Sequence, residues 1–122
     1  QAYADLANKM DSPAICAVHS FTPRLNGRHP RPWEIGILYA DDDRLAIPFM
    51  AACRAQGWCT GDNQPYAGHL PGDAVDRHAL QHGRPNVLIE LRQDLIADEA
   101  GQTLWANRLA PILADVLAQS GL

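Results

Sequence analysis

Three side chains capable of hydrolytic chemistry stand out because each comes with an apolar or turn-forming frame. His19 follows the apolar run Ala14-Ile15-Cys16-Ala17-Val18 and leads into Ser20-Phe21-Thr22-Pro23. Glu90 is embedded in Val87-Leu88-Ile89-Glu90-Leu91. Tyr66 closes Gly61-Asp62-Asn63-Gln64-Pro65-Tyr66. An imidazole at a strand end can aim one ring nitrogen at a metal while the other is held by an acceptor. A carboxylate inside an apolar strand is costly to bury without a partner. Burial raises its pKa, which suits a general base. A loop tyrosine can reach a ligand with its hydroxyl.

Each reading has a plain structural counterpart. His19 fits a satisfied rim histidine, and no HxxH or HxxxH spacing accompanies it. Glu90 fits an ion pair with Arg92 equally well, since residues two apart share a strand face. Arg92 could instead clamp a substrate carboxylate in a bidentate fork, and Asp94 could orient its neighbours. Asn63 fits an Asx-turn as well as a ligand contact. Arg24, Arg28, His29 and Arg31 gather before Pro32-Trp33, a cluster suited to a small anion or to a solvated loop. His78 and His82, at i and i+4, form a zinc-pair pattern on one helix face, although a surface role for His82 is favoured. Trp33, Trp58 and Trp105 are assigned to the core.

The elements that must carry these groups follow from periodicity and punctuation. Residues 1–11 read as the end of a helix, broken at Ser12-Pro13. Residues 14–18 read as a strand buried on both faces. Residues 20–34 hold Pro23, Gly27, Pro30 and Pro32 and form a long loop. Ile35 to Tyr39 is a second strand. Asp41-Asp42-Asp43 offers an N-cap for a helix reaching Gln56, with Pro48 kinking or delaying its start and Gly57 ending it. Trp58 to Thr60 is a short strand and 61–72 a loop. Asp73 caps a helix over 74–81, ended by Gly83. Asn86 to Leu91 is the last strand. Asp98 caps a final helix on which Leu104, Leu109, Ile112, Leu113, Val116 and Leu117 recur, with Pro111 interrupting it. Strands alternating with helices predict an α/β layered domain with a largely parallel or mixed sheet. Ligands in such sheets sit beyond the strand ends, which brings His19 and the stretch from Glu90 to Asp94 to one rim.

Composition narrows the function. The chain has 122 residues, enough for one domain with a modest core, and 47% are apolar. A net charge of -4 argues against a nucleic-acid footprint. No segment is long enough to span a membrane, and no secretory pattern opens the chain. Cys16, Cys53 and Cys59 lack metal spacing, and two of them read as core residues, which suits a reducing, cytoplasmic setting. The chain starts without Met and in what reads as mid-helix, so an N-terminal part of the domain is expected before residue 1. Oligomeric state has no signature here.

The blocks His19-Ser-Phe-Thr-Pro23, Asn26-Gly27 with Arg31-Pro32-Trp33, Gly61 to Tyr66, Asp76-Arg77-His78, and Glu90-Leu-Arg-Gln-Asp-Leu-Ile96 occur in order. Together they resemble the C-terminal half of the N-formylglutamate amidohydrolase family, over about Ala14 to Leu117. The resemblance implies a zinc-dependent amide hydrolase with a three-layer α/β/α fold related to the zinc carboxypeptidases, its sheet mixed and mainly parallel. It implies His19 as a zinc ligand, with the other ligands earlier in the chain. It implies Glu90 as the base on the zinc-bound water, and Tyr66, Asn63 and one or more of Arg28, Arg31 and Arg92 as substrate contacts. The implied reaction converts N-formyl-L-glutamate to L-glutamate and formate in histidine breakdown. The alternatives are a related hydrolase acting on another N-acyl amino acid, or a non-catalytic homologue that binds a small anion or a partner chain.

Overall fold

The computed structural model describes residues 14–24, 30–40, 42–64 and 84–120. Its sheet has four strands: β1 (Ile15–Phe21), β2 (Ile35–Leu38), β3 (Thr60–Asp62) and β4 (Asn86–Arg92), in the order β1-β4-β2-β3. Two pairings are parallel, β1 with β4 and β2 with β3, and β2 meets β4 antiparallel. The fold is α/β with a mixed, mainly parallel sheet, as the alternation of elements predicts. Helices α1 (Ala46–Ala55) and α2 (Glu99–Ser120) contribute to one core.

The register separates the two sheet faces. Val87, Ile89 and Leu91 of β4, with Ile35 and Ile37 of β2, face Phe49, Met50 and Cys53 of α1 and Trp105, Ile112 and Val116 of α2. This is the main core. The opposite face carries a smaller apolar cluster of Ile15, Ala17, Leu38 and Leu88. Asn86, Glu90 and Arg92 alternate onto that second face, because side chains on a strand change sides at every residue. The helices expected over 1–11 and 74–81, and hence any layer they would form, lie outside the described residues.

Local chemistry explains the element boundaries. Gly57 ends α1 with φ at +84°. Its N–H donates to the Arg54 carbonyl at 2.9 Å, and that of Trp58 to the Cys53 carbonyl at 3.3 Å, the two bonds of a Schellman cap. At the other end α1 starts later than Asp41-Asp42-Asp43 would place it, with Leu45 at the N-cap. Pro48 thereby falls in the first turn, where its missing N–H has no helical partner to lose. The Asp42 carboxylate instead accepts the Arg44 guanidinium, which holds its pKa below the usual carboxylate range.

Asp98 caps α2 as predicted, its Oδ1 accepting the Gly101 N–H at 2.8 Å. Pro111 does not interrupt that helix. Pro111 and Asn107, whose carbonyl loses its partner, are both exposed, so water can take the bond. Leu104 also departs from expectation: it is exposed, and Trp105, Ile112 and Val116 form the buried stripe at helical spacing, with half-buried Leu109 beside them. Trp58 packs on Trp105 with ring centroids 5.0 Å apart, and the Arg108 guanidinium lies over both rings.

β1 differs from its prediction in extent and surroundings. It runs through His19 to Phe21, so His19 lies inside the strand rather than after it. Val18 is 59% exposed. A short apolar run carries no information on whether a strand is central or at an edge. Among the described residues β1 is the edge of the sheet. The short third strand is also shifted, from Trp58-Cys59-Thr60 to Thr60–Asp62.

Candidate active site

The site is one row across the second face of the sheet. His19 on β1 is the register partner of Glu90 on β4, Glu90 of Gly36 on β2, and Gly36 of Gly61 on β3. Partners in register point to the same side of a sheet, so an imidazole, a carboxylate and two positions without a side chain stand next to one another. His19 Nδ1 is 3.9 Å from Glu90 Oε1. The imidazole is 59% exposed, whereas the Glu90 side chain is only 9% exposed. The two groups that the sequence sends to one rim thus stand side by side.

Glu90 is a buried carboxylate. Its Oε2 is inaccessible to solvent and has no hydrogen-bond partner among the described contacts. Burial raises its pKa, and the nearby charges of His19 and Arg31 act in the opposite direction. The alternative of an ion pair between Glu90 and Arg92 is not what forms. β4 ends at Arg92 and the chain turns at once into a 3-10 helix, Gln93–Ile96, which swings Asp94 back to the guanidinium. Arg92 Nε donates to Asp94 Oδ1 at 2.6 Å and Nη2 to Oδ2 at 3.1 Å. This fork holds the Asp94 pKa down.

Arg31 stands at the same end of the sheet. Its Nη1 donates to the carbonyl of Thr22 at 3.3 Å, and its guanidinium lies 5.9 Å from the Phe21 ring centroid. Its backbone N–H donates to the Pro23 carbonyl at 2.7 Å. Asn63 adopts a left-handed φ of +54° just after β3. Its Oδ1 accepts the Tyr39 N–H at 2.8 Å and its own N–H donates to the Ile37 carbonyl at 3.0 Å, so it fastens the exit of β3 to β2. That is the turn-holding role its residue type allows. Tyr66, Arg28, His78 and His82 lie outside the described residues, as do His29 and His69.

The glycine pair is the part of the site that sequence reasoning missed. A side chain at Gly36 would collide with the backbone carbonyl of Gln64. One at Gly61 would meet that oxygen at 2.8 Å and the Trp33 ring at 3.0 Å. Gln64 therefore lies directly over the sheet in the column next to Glu90. A Gly-Asp-Asn run such as Gly61-Asp62-Asn63 signals a turn. Which segment lies over the glycine is decided only by tertiary packing.

The described residues offer a metal one imidazole, from His19, and beside it a carboxylate with an orphan oxygen. That donor set fits one zinc ligand and one base. Zinc takes about three protein ligands in catalytic sites, and no group of three His, Cys, Asp or Glu forms among the described residues.

The sequence profile of the N-formylglutamate amidohydrolase family matches residues 1–97. The chain belongs to that family. Among solved structures, a gene product of Agrobacterium tumefaciens, Atu2144, is similar at 34% identity with a TM-score of 0.83. The similarity covers 98% of this chain and 47% of that one, so the chain spans about half the length of its structural relative. No curated protein matches the chain. No helix among the described residues is long and apolar enough to cross a membrane.

Proposed function

We propose that this chain contributes the base and one metal ligand to a zinc-dependent hydrolysis of N-formyl-L-glutamate, giving formate and L-glutamate. Membership of the amidohydrolase family supports amide hydrolysis as the reaction class. The observation that carries the residue roles is the buried Glu90 carboxylate, its Oε2 without a partner among the described residues, in register with the exposed His19 imidazole.

In this reading His19 holds the zinc together with ligands from outside the described residues. When bound, zinc supplies Lewis-acid polarisation of the formyl carbonyl and of the attacking water. Glu90 takes a proton from that water as the new C–O bond forms. It then returns the proton to the amide nitrogen as the C–N bond breaks, so glutamate leaves as the amine. The raised pKa fits both halves of that exchange, because a base slightly reluctant to ionise is also an effective acid.

Arg31 supplies positive charge for the substrate carboxylates, with Tyr66 and Arg28 as further contacts. The unpaired thiols of Cys16 and Cys53, pushed up to about 11 and about 12 by burial, are unreactive core groups. They suit a cytoplasmic enzyme of histidine breakdown.

The deciding experiment is elemental analysis of the complete polypeptide beside its His19→Ala variant, followed by an assay on N-formyl-L-glutamate. The expected result is about one zinc per chain, lost in the variant, with formate released by the wild type alone. A wild type free of zinc overturns the reading and leaves a small-anion-binding homologue. Zinc without turnover of N-formyl-L-glutamate, but with turnover of another N-acyl amino acid, moves the substrate and keeps the site.

A further inference from the structure

Arg92 and Asp94 sit beside the site yet have no part in the proton transfers above. The two terminal oxygens of Asp94 hold the Nε and Nη2 side of the guanidinium, which fixes its plane. The remaining edge points across the sheet end. There Nη1 donates to the carbonyls of Arg31 and Trp33, at 3.4 Å each. The Arg92 backbone N–H donates to the next carbonyl along, that of Glu34, at 3.1 Å.

One residue at the end of β4 therefore collects three carbonyls of the segment 31–34. The same segment carries the Arg31 guanidinium across Phe21, the register partner of Arg92, and on to Thr22. It also carries the Trp33 ring to the edge of Gly61. The Arg92 side chain is only 19% exposed, and four contacts already occupy its guanidinium. Offering its fork to a substrate would mean giving up Asp94.

We propose that Arg92, locked by Asp94, is a positioning residue that acts through Arg31: it holds the 31–34 backbone so that the Arg31 charge faces the substrate carboxylate beside Glu90. This rests on the hydrolysis reading for the identity of the substrate. The pinning itself is a property of this chain. It assigns anion recognition to Arg31 and removes Arg92 from direct contact.

The test has two arms on the complete polypeptide. The first is amide hydrogen exchange. Arg92→Lys keeps the charge and loses the fork, and Asp94→Asn keeps the size and loses the ionic lock. Both should speed exchange at the Arg31 and Glu34 N–H groups on the order of tenfold, with α2 around Ile112 unchanged. Unchanged exchange at Arg31 and Glu34 overturns the proposal.

The second arm is a double-mutant cycle on N-formyl-L-glutamate. Arg92→Lys should raise KM on the order of tenfold with a smaller effect on kcat, and its effect should fall below about twofold in an Arg31→Met background. Effects that multiply in full show that Arg92 meets the substrate itself and overturn the proposal. If the wild type does not turn over N-formyl-L-glutamate, the hydrolysis reading fails alone, and the exchange arm still decides the positioning.

Discussion

His19 and Glu90 are register partners across the parallel pairing of β1 with β4, and Nδ1 of the imidazole stands 3.9 Å from Oε1 of the carboxylate. Parallel pairing fixes the separation through the two backbones, so neither side chain depends on a loop for its place. The asymmetry of exposure then divides the labour. The open imidazole can take a ligand on its far side, while the enclosed carboxylate keeps a pKa displaced upward by burial.

Glu90→Gln separates the chemical role of this carboxylate from its structural one. The amide keeps the shape and cannot take a proton, so turnover should fall about 10²- to 10⁴-fold while zinc content is retained. Stability should move the other way. A carboxyl whose pKa is raised on folding binds more protons in the folded state, so its contribution falls as pH rises from about 4.3 through the raised value. In chelator-treated protein the variant should therefore gain on the wild type in thermal midpoint as pH climbs through that window. A variant with near-wild-type kcat would make Glu90 structural.

Asp94 should show the opposite sign. Its pKa is held down by the Arg92 fork, so its contribution is present above an unfolded value of about 3.9 and disappears as pH falls through the depressed one. Asp94 is 46% exposed, which screens the pair and limits the effect to about 1 kcal/mol or less. Denaturant midpoints of wild type and Asp94→Asn should differ at pH 7 and converge in acid. A difference that persists at pH 2 would mean that packing, not charge, is lost in the variant.

What could be read from the sequence was residue type and order along the chain; what could not was who lies beside whom. The apolar frames of His19 and Glu90 announce strands, and the strands form. Their adjacency depends on β4 entering between β1 and β2, an order that strand patterns do not encode. Arg92 illustrates the same limit at short range. Spacing of two sets it against Glu90 on an ideal strand, but the strand stops at Arg92 and the 3-10 turn delivers Asp94 instead. Leu104 and Trp105 differ by one step of 100° around α2, within the uncertainty of any helix phase read from a Leu-rich pattern. Gly36 was silent because a glycine reports only that something passes close, never what.

Asn63 distinguishes a turn from a ligand contact. Its left-handed backbone and its bond to the Tyr39 N–H are both lost or strained in Asn63→Ala, at a cost of about 1–2 kcal/mol. Asn63→Gly relieves the backbone and should recover part of that. If holding the turn is its whole role, the two variants shift the urea midpoint and leave KM for N-formyl-L-glutamate within about twofold. A KM rise larger than the stability loss explains, and equal in both variants, would place the amide against the substrate.

Gly36→Ala tests whether the clearance beside Glu90 serves the site or only the fold. The added methyl meets the Gln64 carbonyl, a backbone atom that cannot rotate away, so Gln64 must lift from the sheet. Overpacking of this kind costs about 1–3 kcal/mol. Gly61→Ala presses on the same oxygen at 2.8 Å, but also on the Gln64 and Trp33 side chains, which can yield, so its stability cost should be no greater. Gly36, and not Gly61, is the register partner of Glu90. If Gln64 must lie flat on the sheet for the carboxylate to meet substrate, Gly36→Ala should lower kcat/KM well beyond Gly61→Ala at matched stability. Equal losses in the two variants would assign both glycines to packing alone.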